Sequence, residues 1–172
     1  MEFFPVLHTE RLLLRKLTAD DISSLVKYGN NKKVSDYVFS IPHPYEEPDA
    51  VFRISYVLNG FRARSRFVFA VILLETAEFV GEVSLHLDNT KVSQLGYWIG
   101  EPFWNKGIAT EAVRAVCQFG FKTLDLEKIY GTCHLQNIAS SKVLERNGMV
   151  KISVTSNIAA YSINRSEMPA TF

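Results

Sequence analysis

A short loop between a predicted strand and a predicted helix carries the residues best suited to hold an anionic ligand. Within residues 96–112 the strand ends near Gly100, and the helix begins near Gly107, which follows Lys106. The first turn of a helix offers about four unpaired N–H groups and a partial positive charge, and such an end binds phosphate well. Gly107 lets an anion approach the backbone and Lys106 adds a cation, so the loop favours a phosphate-bearing ligand. The alternative is an ordinary connection whose glycine only turns the chain.

Two better-known phosphate motifs do not fit this loop. A P-loop has Ser or Thr directly after its Lys, whereas Lys106 is followed by Gly107. The dinucleotide fingerprint needs three glycines at fixed spacing, and only Gly107 falls in the loop. The sequence therefore excludes both classes of nucleotide site at this position.

The elements that must position the loop follow from hydrophobic periodicity and from Gly and Pro signals. Thr18 is the predicted N-cap of the first helix, with Asp21 as its capping-box partner. Asn137 is the predicted N-cap of the last helix, and Gly148 is predicted to end that helix. A turn is expected at residues 88–90. The predicted strands cover residues 12–15, 66–74, 78–87, 92–99, 128–135, 152–155 and 159–163, and the predicted helices begin near Thr18 and Pro48 and cover 107–123 and 137–147. This order predicts one mixed α/β (α+β) sheet.

The composition is typical of a packed globular protein. The chain has 172 residues, is 47% hydrophobic and carries a formal net charge of +1, which gives no basic footprint for nucleic acid. Cys117 and Cys133 are too few for a disulfide framework and predict buried free thiols. No apolar run reaches the ~20 residues of a membrane span and no signal peptide is recognisable, so we expect a cytoplasmic protein with neither a membrane nor a nucleic-acid partner.

Three segments together resemble the GNAT superfamily of N-acetyltransferases. Gly107 and Ala109 match the two small positions of motif A, Gln/Arg-x-x-Gly-x-Gly/Ala, although Trp104 stands where Gln or Arg is usual. Residues 137–148 resemble the Asn-x-x-Ser and Leu-Glu-Arg-x-Gly motifs of the branch that contains the ribosomal-protein N-terminal acetyltransferases (RimJ/RimL-like). Residues 9–15, Thr-Glu-Arg-Leu-Leu-Leu-Arg, resemble the first strand of that branch.

The resemblance implies a fold and a reaction. The fold is a single twisted mixed sheet of about seven strands and four helices, antiparallel in its N-terminal part, with a splayed central parallel pair, in one acetyltransferase domain over residues 1–172. The reaction transfers an acetyl group from acetyl-CoA, used as co-substrate without a metal, to a primary amine by direct attack in a ternary complex. The family also makes a homodimer possible.

The resemblance also assigns residues to the coenzyme. The backbone of Trp98, Ile99 and Gly100 would face the pantetheine arm and the thioester, and Asn137 would hydrogen-bond the pantetheine or orient the acetyl end. The pyrophosphate would lie on Asn105, Lys106, Gly107, Ile108, Ala109 and Thr110.

Acetyl transfer needs a polarised thioester carbonyl, a protonated leaving thiolate and a neutral amine. We expect a backbone N–H near Ile99 to polarise the carbonyl. The tyrosine that protonates the thiolate in many relatives is replaced here by Leu144, and Ser140 matches the serine proposed for this role in the resembled branch. A backbone-bonding role is the alternative for Ser140. The candidates for the base remain open between Glu82, Glu101 and His134.

The acceptor is expected to be a protein or peptide α-amine. Deprotonating a lysine side chain at neutral pH costs about 4 kcal/mol, whereas deprotonating an α-amine costs about 1 kcal/mol. An α-amine therefore suits a chain without an obvious base. A small polyamine, aminoglycoside or amino acid is the second candidate, since Glu46, Glu47 and Asp49 could make an acidic pocket. A non-catalytic acyl-CoA-binding module is the third. Phe52 and Tyr56 could form the acceptor wall, although Phe52 is rather expected in the core.

Overall fold

The computed structural model describes residues 3–38, 40–88 and 90–168. The predicted turn residue Asn89 and both ends of the predicted domain 1–172 lie outside these described residues. Within them the chain forms eight strands and five α-helices. The strands are β1 (Leu7–His8), β2 (Leu12–Lys16), β3 (Arg66–Leu73), β4 (Phe79–Leu87), β5 (Val92–Ile99), β6 (Lys128–His134), β7 (Val150–Thr155) and β8 (Ile158–Asn164). The helices are α1 (Ile22–Gly29), α2 (Lys32–Ser35), α3 (Glu47–Arg62), α4 (Ile108–Lys122) and α5 (Ile138–Arg146).

The strands form one sheet in the order β1-β2-β3-β4-β5-β6-β8-β7. Neighbouring strands are antiparallel except for β5 and β6, which are parallel. The predicted mixed sheet and its antiparallel N-terminal part are therefore confirmed. Seven strands and four helices were expected, and the two elements not predicted are β1, with two residues, and α2, with four. Elements this short contain only about one period of their hydrophobic pattern, so periodicity cannot reveal them.

Helices cover both faces of the sheet. On one face α1 and α3 pack together against β3 and β4, and Arg53 of α3 reaches Glu82 of β4. On the other face α4 lies over the sheet beside α5, and Gly120 of α4 lies near Leu85 of β4. Since Glu82 and Leu85 differ by an odd number of residues, strand alternation places them on opposite faces. Coverage on both faces explains why β3 is an almost continuous apolar run.

The core at the β3 side is built from aromatic rings. Phe4, Phe61, Phe67, Phe69 and Phe119 meet mainly edge to face, with ring centroids 4.9 to 6.1 Å apart. Edge-to-face contacts add about 0.5–1.5 kcal/mol per pair to the effect of burial. These rings link Phe61 of α3 and Phe119 of α4 to β3.

Several local predictions are confirmed. Cys117 and Cys133 are buried free thiols. The Asn137 side chain caps α5, and Gly148 follows that helix with φ of 76°. Phe52 corrects the sequence interpretation, because 69% of it is exposed and it stacks on Tyr56 at a centroid distance of 5.9 Å. Phe52 lies off the buried side of α3, whose buried residues are Ala50, Ile54, Val57 and Gly60.

Candidate active site

The parallel pairing of β5 with β6 stops half-way along both strands. It reaches Leu95 and Gly131, whereas β5 continues to Ile99 and β6 to His134. On their other sides the strands stay paired to these ends, β5 with β4 and β6 with β8. The two strands therefore part beyond Leu95 and Gly131, which is the splay expected for the central parallel pair. We call this opening the interstrand gap.

Backbone groups of β5 face the interstrand gap at alternate residues. The Gly100 N–H donates to the Val80 carbonyl at 2.8 Å, which marks these two residues as a hydrogen-bonded pair of the β4–β5 ladder. Antiparallel ladders alternate, so Tyr97 and Ile99 turn their N–H and C=O groups away from β4 and towards β6. The indole Nε1 of Trp104 donates to the Ile99 carbonyl at 2.6 Å. The Tyr97 and Ile99 N–H groups are thus directed into the gap.

The three residues assigned to the pantetheine arm differ in the direction of their backbone groups. Ile99 presents its backbone to the gap, in agreement with the expected carbonyl-polarising N–H. The Gly100 N–H and the Trp98 backbone are bonded to β4 instead. The sequence could not show this, because ladder parity depends on the register between strands. A coenzyme contact through Trp98 or Gly100 stays a prediction.

The loop before α4 has the backbone shape of an anion cradle. Asn105 and Gly107 have φ of 60° and 77°, while Lys106 between them does not have a positive φ. Alternating backbone of this kind turns successive N–H groups to one side and forms an anion-binding concavity. The first-turn N–H groups of Ile108, Ala109 and Thr110 have no acceptor inside their own helix. All six residues predicted to hold pyrophosphate therefore lie along one short concave segment.

Two side chains from the start of the chain hold this loop against α4, and sequence reasoning missed them. The Arg11 guanidinium donates to the Lys106 carbonyl at 3.0 Å and from Nε to Glu111 Oε2 at 2.7 Å. Glu111 Oε1 accepts from the Thr9 hydroxyl at 2.6 Å and from the Arg11 N–H at 2.9 Å. Thr9 and Arg11 belong to the Thr-Glu-Arg motif, so the motif itself was the available signal. Contact between residues about 100 positions apart became visible only in the fold.

The indole of Trp104 occupies the position where the family motif usually has Gln or Arg. Its bond to the Ile99 carbonyl joins the loop to the end of β5. Lys106 lies with its ammonium 5.6 Å from the centre of the Phe103 ring, on the same loop. Trp104 therefore performs a positioning contact, and the substitution does not remove the loop's connection to the strand.

The leaving-group candidate Ser140 is fixed by two neighbours. Its N–H donates to Asn137 Oδ1 at 3.1 Å, as an N-cap contact. Its hydroxyl lies 2.7 Å from the Tyr97 hydroxyl, which also donates to the Ser140 carbonyl at 3.2 Å. Burial raises the pKa of Tyr97, so this phenol remains protonated and can donate. Sequence reasoning missed Tyr97 because it looked for a tyrosine on α5; the signal was strand alternation, which places Tyr97 opposite Trp98.

The three candidates for the base occupy different environments. Glu82 is 2% exposed, and its carboxylate accepts from Arg53 Nη2 at 2.7 Å and from Trp98 Nε1 at 3.0 Å. Glu101 follows β5 and is bonded to Lys33 and Asn31, which together lower its pKa.

His134 ends β6, on the opposite side of the gap from Ile99, with the Tyr37 ring centroid 6.0 Å away. The structure therefore does not gather Glu82, Glu101 and His134 into one cluster. A role for any of them as the base stays a prediction.

Comparison with known proteins identifies the family. The model of the acetyltransferase (GNAT) domain matches residues 11–150. The chain belongs to the GNAT acetyltransferase family. It is therefore an acyltransferase, and the interstrand gap with its adjoining loop is the candidate active site of a GNAT enzyme.

Individual relatives agree with this assignment. This GNAT protein is 31% identical over 144 residues to the uncharacterized N-acetyltransferase p20 of Bacillus licheniformis, covering 80% of this chain and 78% of the relative. It is 30% identical over 155 residues to YdaF of Bacillus subtilis, provisionally named a ribosomal N-acetyltransferase, covering 83% and 79%. The solved structure of a GNAT-family acetyltransferase from Bacillus anthracis superimposes with a TM-score of 0.83 at 25% identity, covering 95% of this chain and all of that one.

The RimJ/RimL-like resemblance extends to the fold. The structure of Mycobacterium smegmatis RimJ in complex with CoA-disulfide superimposes with a TM-score of 0.81 at 18% identity, covering 92% of this chain and 84% of that one. At this identity the likeness concerns the fold alone. The present GNAT protein thus shares its fold with this RimJ protein.

The contact between Glu111 and the Arg11 segment gives a pH-dependent contribution to stability. Burial raises the pKa of Glu111, but the hydrogen bonds from Thr9 and Arg11 outweigh this and lower it overall. A carboxyl whose folded-state pKa is depressed stabilises the protein above its unfolded pKa, near ~4.3, and this stabilisation is lost as the pH falls through the folded-state value.

We predict that Glu111→Gln lowers the free energy of unfolding by about 1–2 kcal/mol at pH 7, because the charged acceptor is lost while Arg11 is half exposed. The difference from the parent should shrink between pH 5 and pH 3. Urea unfolding at several pH values measures both effects. Glu127→Gln, at an exposed ion pair with Lys91, is the control and should change stability by less than about 0.5 kcal/mol. A difference that is the same at pH 7 and pH 3 would contradict the prediction.

Proposed function

We propose that this GNAT protein transfers the acetyl group of acetyl-CoA to the α-amine of a protein or peptide. Attack occurs directly in a ternary complex of enzyme, coenzyme and amine. The observation that carries the proposal is the concave N–H-lined loop at residues 105–110, which opens beside the interstrand gap. An anion cradle next to unpaired strand backbone suits a ligand that has a diphosphate at one end and an amide-containing arm at the other.

The coenzyme fits the residues that surround the gap. Its pyrophosphate would accept from the N–H groups of residues 105–110, with the Lys106 ammonium as a counterion. Its pantetheine amides would bond the backbone of Ile99 and Tyr97 as a short additional strand, because these groups lack a partner on β6. Asn137, at the start of α5, would bond the pantetheine arm or orient the acetyl end.

The same backbone and the first turn of α5 would assist the chemistry. An N–H of β5 directed into the gap, that of Ile99 or that of Tyr97, which lies nearer the end of the β5–β6 pairing, would stabilise the oxyanion that forms on the thioester carbonyl. The Ser140 hydroxyl would protonate the departing thiolate. Tyr97 donates its proton to the Ser140 carbonyl, so its oxygen is left to accept from the Ser140 hydroxyl and holds that side chain in place. The Ser140 hydroxyl would turn from Tyr97 to the thiolate as the thiolate departs. This replaces the tyrosine that Leu144 leaves vacant, since Leu144 is buried in the core.

Charges near the gap favour an α-amine over a polycationic acceptor. Glu82 is neutralised by Arg53, so it does not provide an acidic pocket. Asp49, one of the acids that could attract a polyamine, accepts from the Glu46 N–H at 2.9 Å as part of the α3 cap. An α-amine needs little assistance to lose its proton at neutral pH. The provisional name of YdaF points to the same acceptor class.

Further proposals concern the protein's setting. We propose a single acetyltransferase domain over residues 1–172, working in the cytoplasm and possible as a homodimer. Among the described residues no helix is long and apolar enough to cross a bilayer.

The cradle is tested by a charge at Gly107. We predict that Gly107→Asp weakens CoA binding at least about tenfold, because a carboxylate near the pyrophosphate costs about 1–4 kcal/mol at 4 Å, depending on the local dielectric. Isothermal titration calorimetry with CoA measures the change. Gly107→Asn is the matched control, since Asn has the same shape, tolerates the positive φ of 77° and carries no charge. Equal affinity of Gly107→Asp and the parent, or no CoA binding by the parent, would remove the proposed coenzyme site.

The leaving-group role is tested at Ser140. We predict that Ser140→Ala lowers kcat by about 10- to 100-fold and leaves the affinity for acetyl-CoA nearly unchanged, because the hydroxyl acts only as the thiolate departs. Ser141→Ala is the control on the same helix, since the Ser141 hydroxyl contacts only Cys133 Sγ at 3.5 Å among the hydrogen bonds of the described residues. An unchanged kcat in Ser140→Ala would exclude Ser140 from the mechanism.

The acceptor class is tested by a panel. We predict thiol release from acetyl-CoA with peptides that have a free N-terminus, and none with the same peptides blocked at the N-terminus. Release with polyamines, aminoglycosides or amino acids alone would favour the small-amine alternative. Tight CoA binding without release in any arm would favour a binding module.

A further inference from the structure

A row of polar side chains lies on the face of β4 that α3 covers. Glu82, Ser84 and His86 alternate along the strand and therefore point to the same side. Glu82 is occupied by Arg53 and Trp98. Ser84 and His86 do not share these partners, and sequence reasoning assigned no role to His86.

The hydrogen bonds of Ser84 determine which nitrogen of His86 carries the proton. The Ser84 hydroxyl donates to the Gly96 carbonyl at 3.2 Å, and it lies 3.0 Å from His86 Nε2. A hydroxyl has one proton, so both contacts are satisfied only if Nε2 is protonated and donates to Ser84. A neutral His86 ring then carries its free lone pair on Nδ1.

This pair lies at the fork where β5 and β6 part. Gly96 is the first β5 residue beyond the last pair, Leu95 with Gly131. A Cβ on Gly96 would lie 3.0 Å from Ser84 Oγ and 3.8 Å from His86 Nε2. The Ser84–His86 pair therefore packs directly against the Gly96 backbone at the fork, where a side chain would crowd the Ser84 hydroxyl. Tyr97 is the next residue and points to the opposite face, where it meets Ser140.

The charges around His86 favour a neutral imidazole. Arg66 of β3, Arg53 of α3 and Glu82 of β4 are the charged groups that act on it, and Arg66 is held over the Tyr56 ring at 4.0 Å. Burial, followed by the two arginines, lowers the pKa of His86, against a smaller opposing effect of Glu82. The ring is half-buried, so part of it stays exposed to solvent.

We propose that His86 is the general base for the acceptor amine and that Ser84 is the positioning residue that fixes its tautomer. The inference rests on the proposed acetyl transfer and adds the proton acceptor that it lacks. The neutral amine attacks the thioester carbon and forms the N–C bond. The proton of the resulting ammonium passes to His86 Nδ1, the C–S bond breaks, and the thiolate takes a proton from Ser140, which solvent restores. The groups that accept the amine proton and protonate the thiolate thus lie on opposite faces of the sheet.

The test compares His86→Gln with the parent. The Gln side chain can still donate to Ser84 but cannot take a proton at neutral pH. We expect kcat to fall by about 10²-fold or more, while CoA affinity and thermal stability stay close to those of the parent. Ser84→Ala keeps the imidazole and should show a smaller loss, about tenfold, because the ring is no longer held in one tautomer.

The pH profile separates a base from a structural contact. With an α-amine acceptor, log kcat/KM of the parent should rise with a slope of 1 below the amine pKa near ~8, and with a slope of 2 below the pKa of His86, which lies under ~6.5. His86→Gln should keep a slope of 1 throughout, and Ser84→Ala should keep the steeper limb. A steeper limb that persists in His86→Gln, or a kcat within about twofold of the parent, would overturn the proposal.

A spectroscopic measurement is independent of turnover. Proton–nitrogen NMR of the imidazole should show the Nε2–H tautomer and a pKa below the ordinary value for His86, and an Nδ1–H tautomer would overturn the proposal. Failure of the proposed function has a different signature, namely that the parent does not acetylate free peptide N-termini. The pH profile is then measured with whichever amine of the panel the parent acetylates.

Discussion

The separation of β5 from β6 beyond Leu95 is the constraint on which the site depends. Backbone N–H and C=O groups in the middle of a sheet are normally paired, and leaving them without a partner costs as much as a lost hydrogen bond. At Tyr97 and Ile99 the fold leaves N–H groups directed into a gap instead. A ligand that bonds there replaces a missing strand, so the sheet itself defines where an extended amide-containing arm can lie.

The surrounding contacts keep the gap and the anion cradle in fixed relation. Trp104 joins the loop to the end of β5, and Arg11 with Glu111 joins the same loop to β2 and α4. A misplacement of about 1 Å in a reacting group can cost about 10²-fold in rate. In the proposed complex, contacts far from any reacting atom would therefore matter for catalysis, because they would fix the distance between the groups that hold the diphosphate end and the thioester end of the coenzyme.

The sheet also separates two kinds of chemistry. Strand alternation places Tyr97 on the α5 face and Trp98 on the α3 face of β5. In the proposed reaction the leaving thiolate and the incoming amine would therefore meet different side chains. On the α3 face the ion pair of Glu82 with Arg53 is largely buried, with 3% and 17% side-chain exposure. Removing one partner of such a pair costs about 3–5 kcal/mol, which ties α3 firmly to β4. The Glu82 carboxylate therefore has a structural contact as well, and its role as a base stays a prediction.

Much of the fold and part of the site could be predicted from the sequence. Periodicity and cap residues gave seven of the eight strands and four of the five helices of the described residues, because long elements repeat their pattern several times. The loop at Lys106 and Gly107 was recognisable because helix-end chemistry is local, and the segments at residues 9–15 and 137–148 supported the family. These are properties of neighbouring residues, and neighbouring residues are what a sequence states directly.

The tertiary structure decided what depends on register and on contacts between distant segments. Ladder parity turned Ile99 into the gap and Trp98 and Gly100 towards β4; the approach of α3 to β4 neutralised Glu82; Tyr97 met Ser140 across 43 residues. In each case the sequence specifies the chemistry of a side chain but not the partner of that side chain. Hydrogen bonds and ion pairs act over a few ångströms in space, and the order of residues along the chain does not specify those distances.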